Sequence, residues 1–129
     1  MLKALMAGCA LTLLVTGTAM AQGSTENGEK VFKRCQACHV ANQKQNRVGP
    51  HLVGVFGRTA GSVEGFNYSD AMKAKGQEGL VWNDETMGAY LENPKDYIPK
   101  NKMGFPGLKK PEERADVIAY LKQATAQTQ

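Results

Sequence analysis

A five-residue run, Cys35-Gln36-Ala37-Cys38-His39, restricts the fold of this 129-residue chain more than any other feature. Two cysteines three positions apart on a helical turn present their thiols to the same side. Both thiols can therefore add to the two vinyl groups on one edge of a haem, and the histidine that follows can supply an axial nitrogen to the iron. The motif thus predicts a fold that wraps around a large, covalently attached group.

Three other kinds of site use the same cysteine spacing. A disulfide between Cys35 and Cys38 suits an exported chain, but it leaves His39 without a role. A structural zinc site needs a second pair of ligands, and the third cysteine, Cys9, lies in a segment that we expect to be removed. A thioredoxin-like site begins a helix beside parallel strands, whereas this motif ends a predicted helix in a chain with few or no predicted strands. We favour haem attachment and keep a non-haem thiol or zinc protein as an alternative.

The first residues are typical of a secretory signal peptide. A cationic start at Lys3 is followed by an apolar run over residues 4–15 and by the small residues Ala19-Met20-Ala21. The apolar run is shorter than the ~20 residues that a membrane span needs. We predict that residues 1–21 are cleaved before Gln22, which exports the protein to the periplasm and leaves residues 22–129 as one domain.

The charge of the mature chain is mildly positive. Without Lys3, fifteen basic and twelve acidic residues remain, a net charge of +3, and the two signs are interleaved. Such a small surplus gives no reason to expect a nucleic-acid partner and is typical of a solvated surface.

Helix signals lie at both ends of the mature chain and twice between them. Ser24 or Thr25 can cap a helix that ends in the cysteine motif. A short helix is predicted around residues 69–74, another over 84–93 between the cap Asn83 and the stop Pro94, and a last one from Pro111. Residues 47–66 and 95–110 are rich in Gly and Pro without strand-like alternation. We predict an all-α fold of three to five helices whose centre is filled by something large and apolar.

The sixth position of the iron decides between electron transfer and chemistry on a bound ligand. The mature chain offers His51, Met72, Met87 and Met103. Met72 and Met87 lie in predicted helices, where methionine usually fills the core, and His51 is expected to stay near His39. Met103 lies in an irregular loop that is long enough to cover the opposite haem face. With Met103 absent from the iron, the chain would instead be an open-site haem enzyme or gas sensor, such as a peroxidase.

Further motifs resemble class I cytochromes c, in particular mitochondrial cytochrome c and bacterial cytochrome c2. In order, they are residues 49–58 (GPHLVGVFGR), 65–68 (GFNY), 90–94 (YLENP), 97–99 (YIP) and 102–103 (KM). Together with the cysteine motif they extend over nearly all of residues 22–129. The resemblance implies the class I cytochrome c fold, with three to five helices around one haem c that is bound through two thioethers.

The resemblance also implies which residues bind the haem and its iron. Cys35 and Cys38 would form the thioethers, while His39 and Met103 would be the two axial ligands. The carbonyl of Pro50 would accept the other ring N–H of His39, which orients the imidazole and raises its basicity.

Four further residues would surround the haem. Tyr90 would lie beside the Met103 sulfur, and Arg58, Tyr68 and Trp82 would offer donors to a haem propionate, which otherwise is a buried charge without partners. The two terminal helices would cross through one cluster of residues: Gly28, Phe32, Val117, Tyr120 and Leu121.

The chain departs from the mitochondrial pattern at two distal positions. Met72 stands where those proteins usually have an asparagine, and Asn101 stands where they have a threonine. Residues 76–82 also form a slightly longer segment. We therefore expect a different hydrogen-bond network on the distal side.

The function implied by the resemblance is electron transfer, without enzymatic activity. The protein would be a soluble periplasmic monomer that takes electrons from a cytochrome bc-type complex and delivers them to a photosynthetic reaction centre or a terminal oxidase. A short-lived, charge-steered complex would suit that task, with acidic docking surfaces on the partners. Six lysines lie in segments that surround the haem edge in the family: Lys33, Lys44, Lys95, Lys102, Lys109 and Lys110.

Overall fold

The computed structural model describes residues 22–126, and all regular structure in that part of the chain is helical apart from one isolated bridge between Thr59 and Val81. The helices are α1 (Thr25–Phe32), α2 (Asp70–Gln77), α3 (Asp84–Glu92), α4 (Pro94–Tyr97) and α5 (Pro111–Ala124). The predicted all-α class is confirmed. Among the described residues no helix is long and apolar enough to cross a membrane. The predicted signal peptide, residues 1–21, lies outside the described residues.

The helices begin where local chemistry favours a start. The side chains of Ser24 and Ser69 accept hydrogen bonds from the first turns of α1 and α2. Asn83 and Thr86 form a reciprocal capping box at α3. α5 begins with Pro111 followed by two glutamates, whose charge suits the positive end of the helix dipole.

Two boundaries differ from the predictions. α1 ends at Phe32, and the cysteine motif lies in the tight turns over residues 33–38 that follow it. The backbone N–H of Cys35 donates to the carbonyl of Phe32 three residues earlier (2.8 Å), so the last turn is tightened. Pro94 ends α3 as predicted, but it also begins the short helix α4, because proline suits a first helical position.

The terminal helices cross at close range, as predicted. A Cβ atom on Gly28 would lie 2.0 Å from the carbonyl oxygen of Asp116, so only glycine permits this approach. The Phe32 ring packs on Tyr120 with their centroids 5.4 Å apart, and Val117 and Leu121 are buried. This crossing fixes the start of the cysteine motif against the C-terminal helix.

Half-buried apolar side chains, most of them from the long segments between helices, pack against the core. Five come from those segments, Leu52, Phe56, Leu80, Met103 and Phe105, while Met72 lies in α2 and Tyr97 in α4. The predicted site residues come from these segments and from the helix ends beside them.

Candidate cofactor site

The cysteine motif forms a compact series of turns. The backbone N–H groups of Cys38 and His39 both donate to the carbonyl of Cys35, at 3.0 and 2.9 Å. Cys35 and Cys38 are half-buried free thiols and are not joined by a disulfide. Burial raises the pKa of the Cys35 thiol. The turn thus offers two neighbouring thiols for covalent attachment, next to a histidine.

The imidazole of His39 has a defined tautomer. Its Nδ1 lies 2.7 Å from the carbonyl oxygen of Pro50. A carbonyl only accepts hydrogen bonds, so Nδ1 carries the proton and Nε2 has a free lone pair. Burial lowers the pKa of His39, which favours the neutral, ligating form. The contact with Pro50 lies where the resemblance implies it.

Gly49 is a structural requirement of this side that the motif alone did not predict. A Cβ atom at this position would lie 2.4 Å from Cε1 of the His39 ring. The backbone N–H of Gly49 also donates to the carbonyl of Cys38 (2.9 Å). The ring therefore rests directly on the Gly49 backbone. His51, which follows Pro50, stays on this side as expected, with its ring nitrogen accepting from the Val53 N–H (3.2 Å).

Met103 lies in the loop between α4 and α5 and is half-buried against the core. The hydroxyl of Tyr90 lies 3.9 Å from the Met103 sulfur, in the arrangement that the resemblance implies. Burial raises the pKa of Tyr90 to about 12, so its hydroxyl keeps its proton at neutral pH. The side chain of Asn101 accepts the backbone N–H of Met103 (2.8 Å). The sequence predicts only that Asn101 changes the distal hydrogen-bond network; its contact with the Met103 backbone is not predicted.

Tyr68 and Trp82 both lie near Arg58. The backbone N–H of Trp82 donates to the carbonyl of Arg58 (2.9 Å), and the Trp82 ring is buried against Tyr90, with centroids 5.1 Å apart. The hydroxyl oxygen of Tyr68 accepts the Val63 N–H (3.1 Å), so its proton is available to another acceptor.

The Arg58 guanidinium is half-buried and carries its charge inward. Its Nη1 donates to the carbonyls of His51 (3.0 Å) and Val53 (3.4 Å). Burial lowers the pKa of Arg58, and the salt bridges of the described residues give it no carboxylate partner. A guanidinium has five N–H donors, so those outside Nη1 suit an anionic group.

The donor set matches a c-type haem better than the alternatives. Two neighbouring thiols could form its thioethers, and a neutral imidazole with a free Nε2 and a methionine sulfur could serve as its axial ligands. A half-buried guanidinium could pair with a propionate. Residues 22–126 contain no cluster of three or more His, Cys, Asp or Glu side chains that could hold a metal ion, so Cys35 and Cys38 lack the partners of a structural zinc site. Met87 is buried in the core, as predicted, and Met72 packs against it from α2.

Comparison with known proteins agrees with this geometry. The family model of cytochrome c matches residues 25–125. A cytochrome c2 of Afifella marina is 54% identical over 96 residues, which cover 74% of this chain and 77% of that protein. A cytochrome c of Gibberella zeae is 54% identical over 108 residues, covering 82% of this chain and 99% of the relative. A cytochrome c of Chlamydomonas reinhardtii is 54% identical over 106 residues, covering 81% and 92%.

Proposed function

The chain belongs to the cytochrome c family, and on that basis we propose that it is a periplasmic carrier of single electrons whose iron is ligated by His39 and Met103. Proteins of this family carry one covalently bound haem c, and Cys35 and Cys38 occupy the attachment motif. Electron transport is the function that the family membership supports. The axial ligands, the location and the partners are the finer parts of the proposal.

One observation carries the proposal: a fixed imidazole and a thioether with its own hydroxyl neighbour are available to fill both axial positions. The haem supplies the reversible change between ferric and ferrous iron. The Pro50 carbonyl holds the Nδ1 proton of His39 and so raises the basicity of the ligating nitrogen. Met103 would supply a soft sulfur, which favours ferrous iron and raises the reduction potential. With both positions filled, no substrate would reach the iron, and the protein would act as a carrier without enzymatic activity.

The half-buried guanidinium of Arg58 supports the proposal that a haem propionate lies beside it. A buried carboxylate is costly unless it is paired and hydrogen-bonded. Arg58 supplies the charge, while the Tyr68 hydroxyl proton and the Trp82 indole N–H are the additional donors. These three side chains would hold a haem propionate in its ionised form.

The lysine surface supports charge-steered docking. All six lysines named above are exposed, and the salt bridges of the described residues pair none of them with a carboxylate. Lys95, Lys102 and Lys109 donate to backbone carbonyls instead, which leaves their charge uncompensated. Such a surface suits acidic partners: a cytochrome bc-type complex as donor, and a photosynthetic reaction centre or terminal oxidase as acceptor.

Charge-steered docking can be tested by the dependence of association rates on ionic strength. Association with such a partner should slow as the ionic strength rises, because screening then acts within ~8 Å. Lys102→Gln should slow association more than Lys122→Gln, since Lys122 already pairs with Asp84 at 2.8 Å. Equal rates for the two variants and a flat salt dependence would remove the steering claim.

Replacing the distal sulfur tests the proposed ligation. In haem-loaded Met103→Ala, the reduction potential should fall and the ferrous iron should bind carbon monoxide. Met72→Ala is the matched control, because Met72 is also a half-buried methionine packed against the core. An unchanged spectrum in Met103→Ala would mean that another residue holds the sixth position. Carbon monoxide binding by the unmodified protein would favour the enzyme or sensor alternative.

A further inference from the structure

Asn101 is one of three buried polar residues among those that the structure describes, with 4% of its surface exposed. The other two act locally at helix ends. Ser69 caps α2, and the Thr125 hydroxyl donates to the carbonyl of Leu121 at the end of α5 (2.6 Å). Asn101 also bonds to a helix end, that of α4, but unlike the other two its side chain bonds in addition to the backbone of another segment, at Met103.

The side-chain amide of Asn101 uses both its donors and its acceptor. Its Nδ2 donates to the carbonyls of Pro94 and Ile98, each at 2.8 Å. Its Oδ1 accepts the backbone N–H of Met103 at 2.8 Å and lies 3.4 Å from the Tyr90 hydroxyl. One side chain therefore ties the first residue of α4 and the residue after α4 to the backbone of Met103.

The loop around Met103 has few other anchors. Over residues 102–107, the Met103 N–H is the only backbone N–H for which the described hydrogen bonds give an acceptor, and the next one is at Leu108, bonded to Leu91 (2.7 Å). Lys100, just before Asn101, has a left-handed backbone with φ of 67°, which is unfavourable for a residue with a Cβ atom. The strained turn at Lys100 is therefore followed directly by the residue whose side-chain amide bonds to the Met103 backbone.

We infer that Asn101 is the positioning residue for the Met103 sulfur: its amide fixes the Met103 backbone against α4 so that the thioether is presented to the iron. This inference rests on the proposed ligation by Met103. The amide oxygen of Asn101 also accepts a hydrogen bond from the Tyr90 hydroxyl, so the same side chain orients a polar group that lies beside the sulfur. The role belongs to this chain's distal loop and does not require contact between Asn101 and the cofactor.

The test measures how readily Met103 leaves ferric iron in the haem-loaded protein. External imidazole binds only when the sulfur is displaced, so its apparent dissociation constant reports the strength with which Met103 is held. In Asn101→Ala, imidazole should bind at least about tenfold more tightly, which corresponds to about 1.4 kcal/mol, and the sulfur-to-iron charge-transfer band should weaken. Asn101→Thr should fall between Ala and the unmodified protein, because a threonine hydroxyl can accept the N–H two residues on.

The control is Thr125→Val, which removes a buried hydrogen bond at the end of α5 instead of in the distal loop. This variant should have lower thermal stability. Its imidazole dissociation constant should stay within about twofold of that of the unmodified protein. If Asn101→Ala stays within twofold as well, or if Thr125→Val tightens imidazole as much as Asn101→Ala, the positioning role is wrong. Should Asn101→Ala fail to hold haem, Asn101→Thr decides: tighter imidazole binding than in the unmodified protein, with a weakened charge-transfer band, would support the role, and a band and imidazole constant equal to those of the unmodified protein would overturn it.

Failure of the underlying ligation gives a different result. In that case the unmodified protein lacks the charge-transfer band, and Met103→Ala binds imidazole as the unmodified protein does. The positioning role alone would be refuted if the unmodified protein has the band and Met103→Ala binds imidazole more tightly, but Asn101→Ala leaves the imidazole constant unchanged.

Discussion

His39 and Met103 are held in contrasting ways. The His39 ring rests on Gly49 and donates to Pro50, only eleven residues further along the chain, and the whole assembly follows directly from the turn that carries both cysteines. Met103 is held in an irregular loop by Asn101, whose amide reaches back to α4, and by the neighbouring hydroxyl of Tyr90 from α3. The proximal side is thus a local unit, whereas the distal side depends on how separate elements pack. Sequence changes around Met103 should therefore alter its position more readily than changes around His39 alter the imidazole.

The largest effect is expected where the proximal unit meets the terminal helices. Phe32→Ala should lower the free energy of unfolding by about 3–5 kcal/mol, because it removes a ring that is 6% exposed and packed on Tyr120. Denaturant unfolding of the haem-loaded protein measures this loss. Val48→Ala is the control, because Val48, next to Gly49, is 79% exposed. The charge-transfer band of folded Phe32→Ala should persist. A stability loss no larger than that of Val48→Ala would contradict the packing.

The next effect concerns the distal side at alkaline pH. Burial raises the pKa of the Tyr90 phenol from 10.0 to about 12, so the folded protein keeps a proton that the unfolded chain loses. The contribution is fully present below pH 10 and is lost as pH rises from 10 to about 12, by roughly 2–3 kcal/mol. Tyr90→Phe should therefore lose less stability than the unmodified protein over that window. Parallel stability curves for the two proteins between these pH values would show that Tyr90 does not titrate as described.

A pair of glycine substitutions compares the two sides directly. Gly49→Ala places a Cβ atom 2.4 Å from the His39 ring, which should destabilise the folded protein by about 1–3 kcal/mol through overpacking. Gly104→Ala, next to Met103, meets nothing within 4 Å and should change stability little. Thermal unfolding distinguishes the two. If both variants melt together, the proximal ring does not depend on Gly49.

The smallest expected effect is a gain. Lys100→Gly should raise the free energy of unfolding by up to about 1 kcal/mol, because glycine adopts a left-handed backbone without steric penalty. Lys100→Ala keeps the Cβ atom while removing the charge, so it should bring no such gain. Equal stabilisation by both variants, measured by denaturant unfolding, would assign the effect to charge and not to the backbone.

The features that could be predicted are those that depend on a few residues close together in the sequence. Caps at Ser24 and Asn83, the stop at Pro94 and the start at Pro111 each depend on a few neighbouring residues, and each lies where it was predicted. The cysteine motif likewise carries its chemistry in five residues. Its exact backbone was not predicted, because nothing in the local sequence marks the change at Phe32 from α-helix to the tighter turns that carry the cysteines.

The remainder depends on contacts between distant segments. The four-residue helix α4 is too short to show a periodic pattern, and Asn101 acts only because α4 presents two carbonyls to it. Nothing local distinguishes that asparagine from one on the surface. The same holds for Gly49. That this position cannot carry a side chain is clear only from the structure, where the His39 ring lies against it.

The absorption spectrum of the unmodified, haem-loaded protein, recorded oxidised and reduced and with and without carbon monoxide, tests the central claim most directly. Ligation by His39 and Met103 predicts a low-spin c-type spectrum with the weak sulfur-to-iron charge-transfer band in the oxidised form and no response to carbon monoxide in the reduced form. A high-spin spectrum that shifts when carbon monoxide is added would contradict the closed site, and with it the role of this protein as a simple electron carrier.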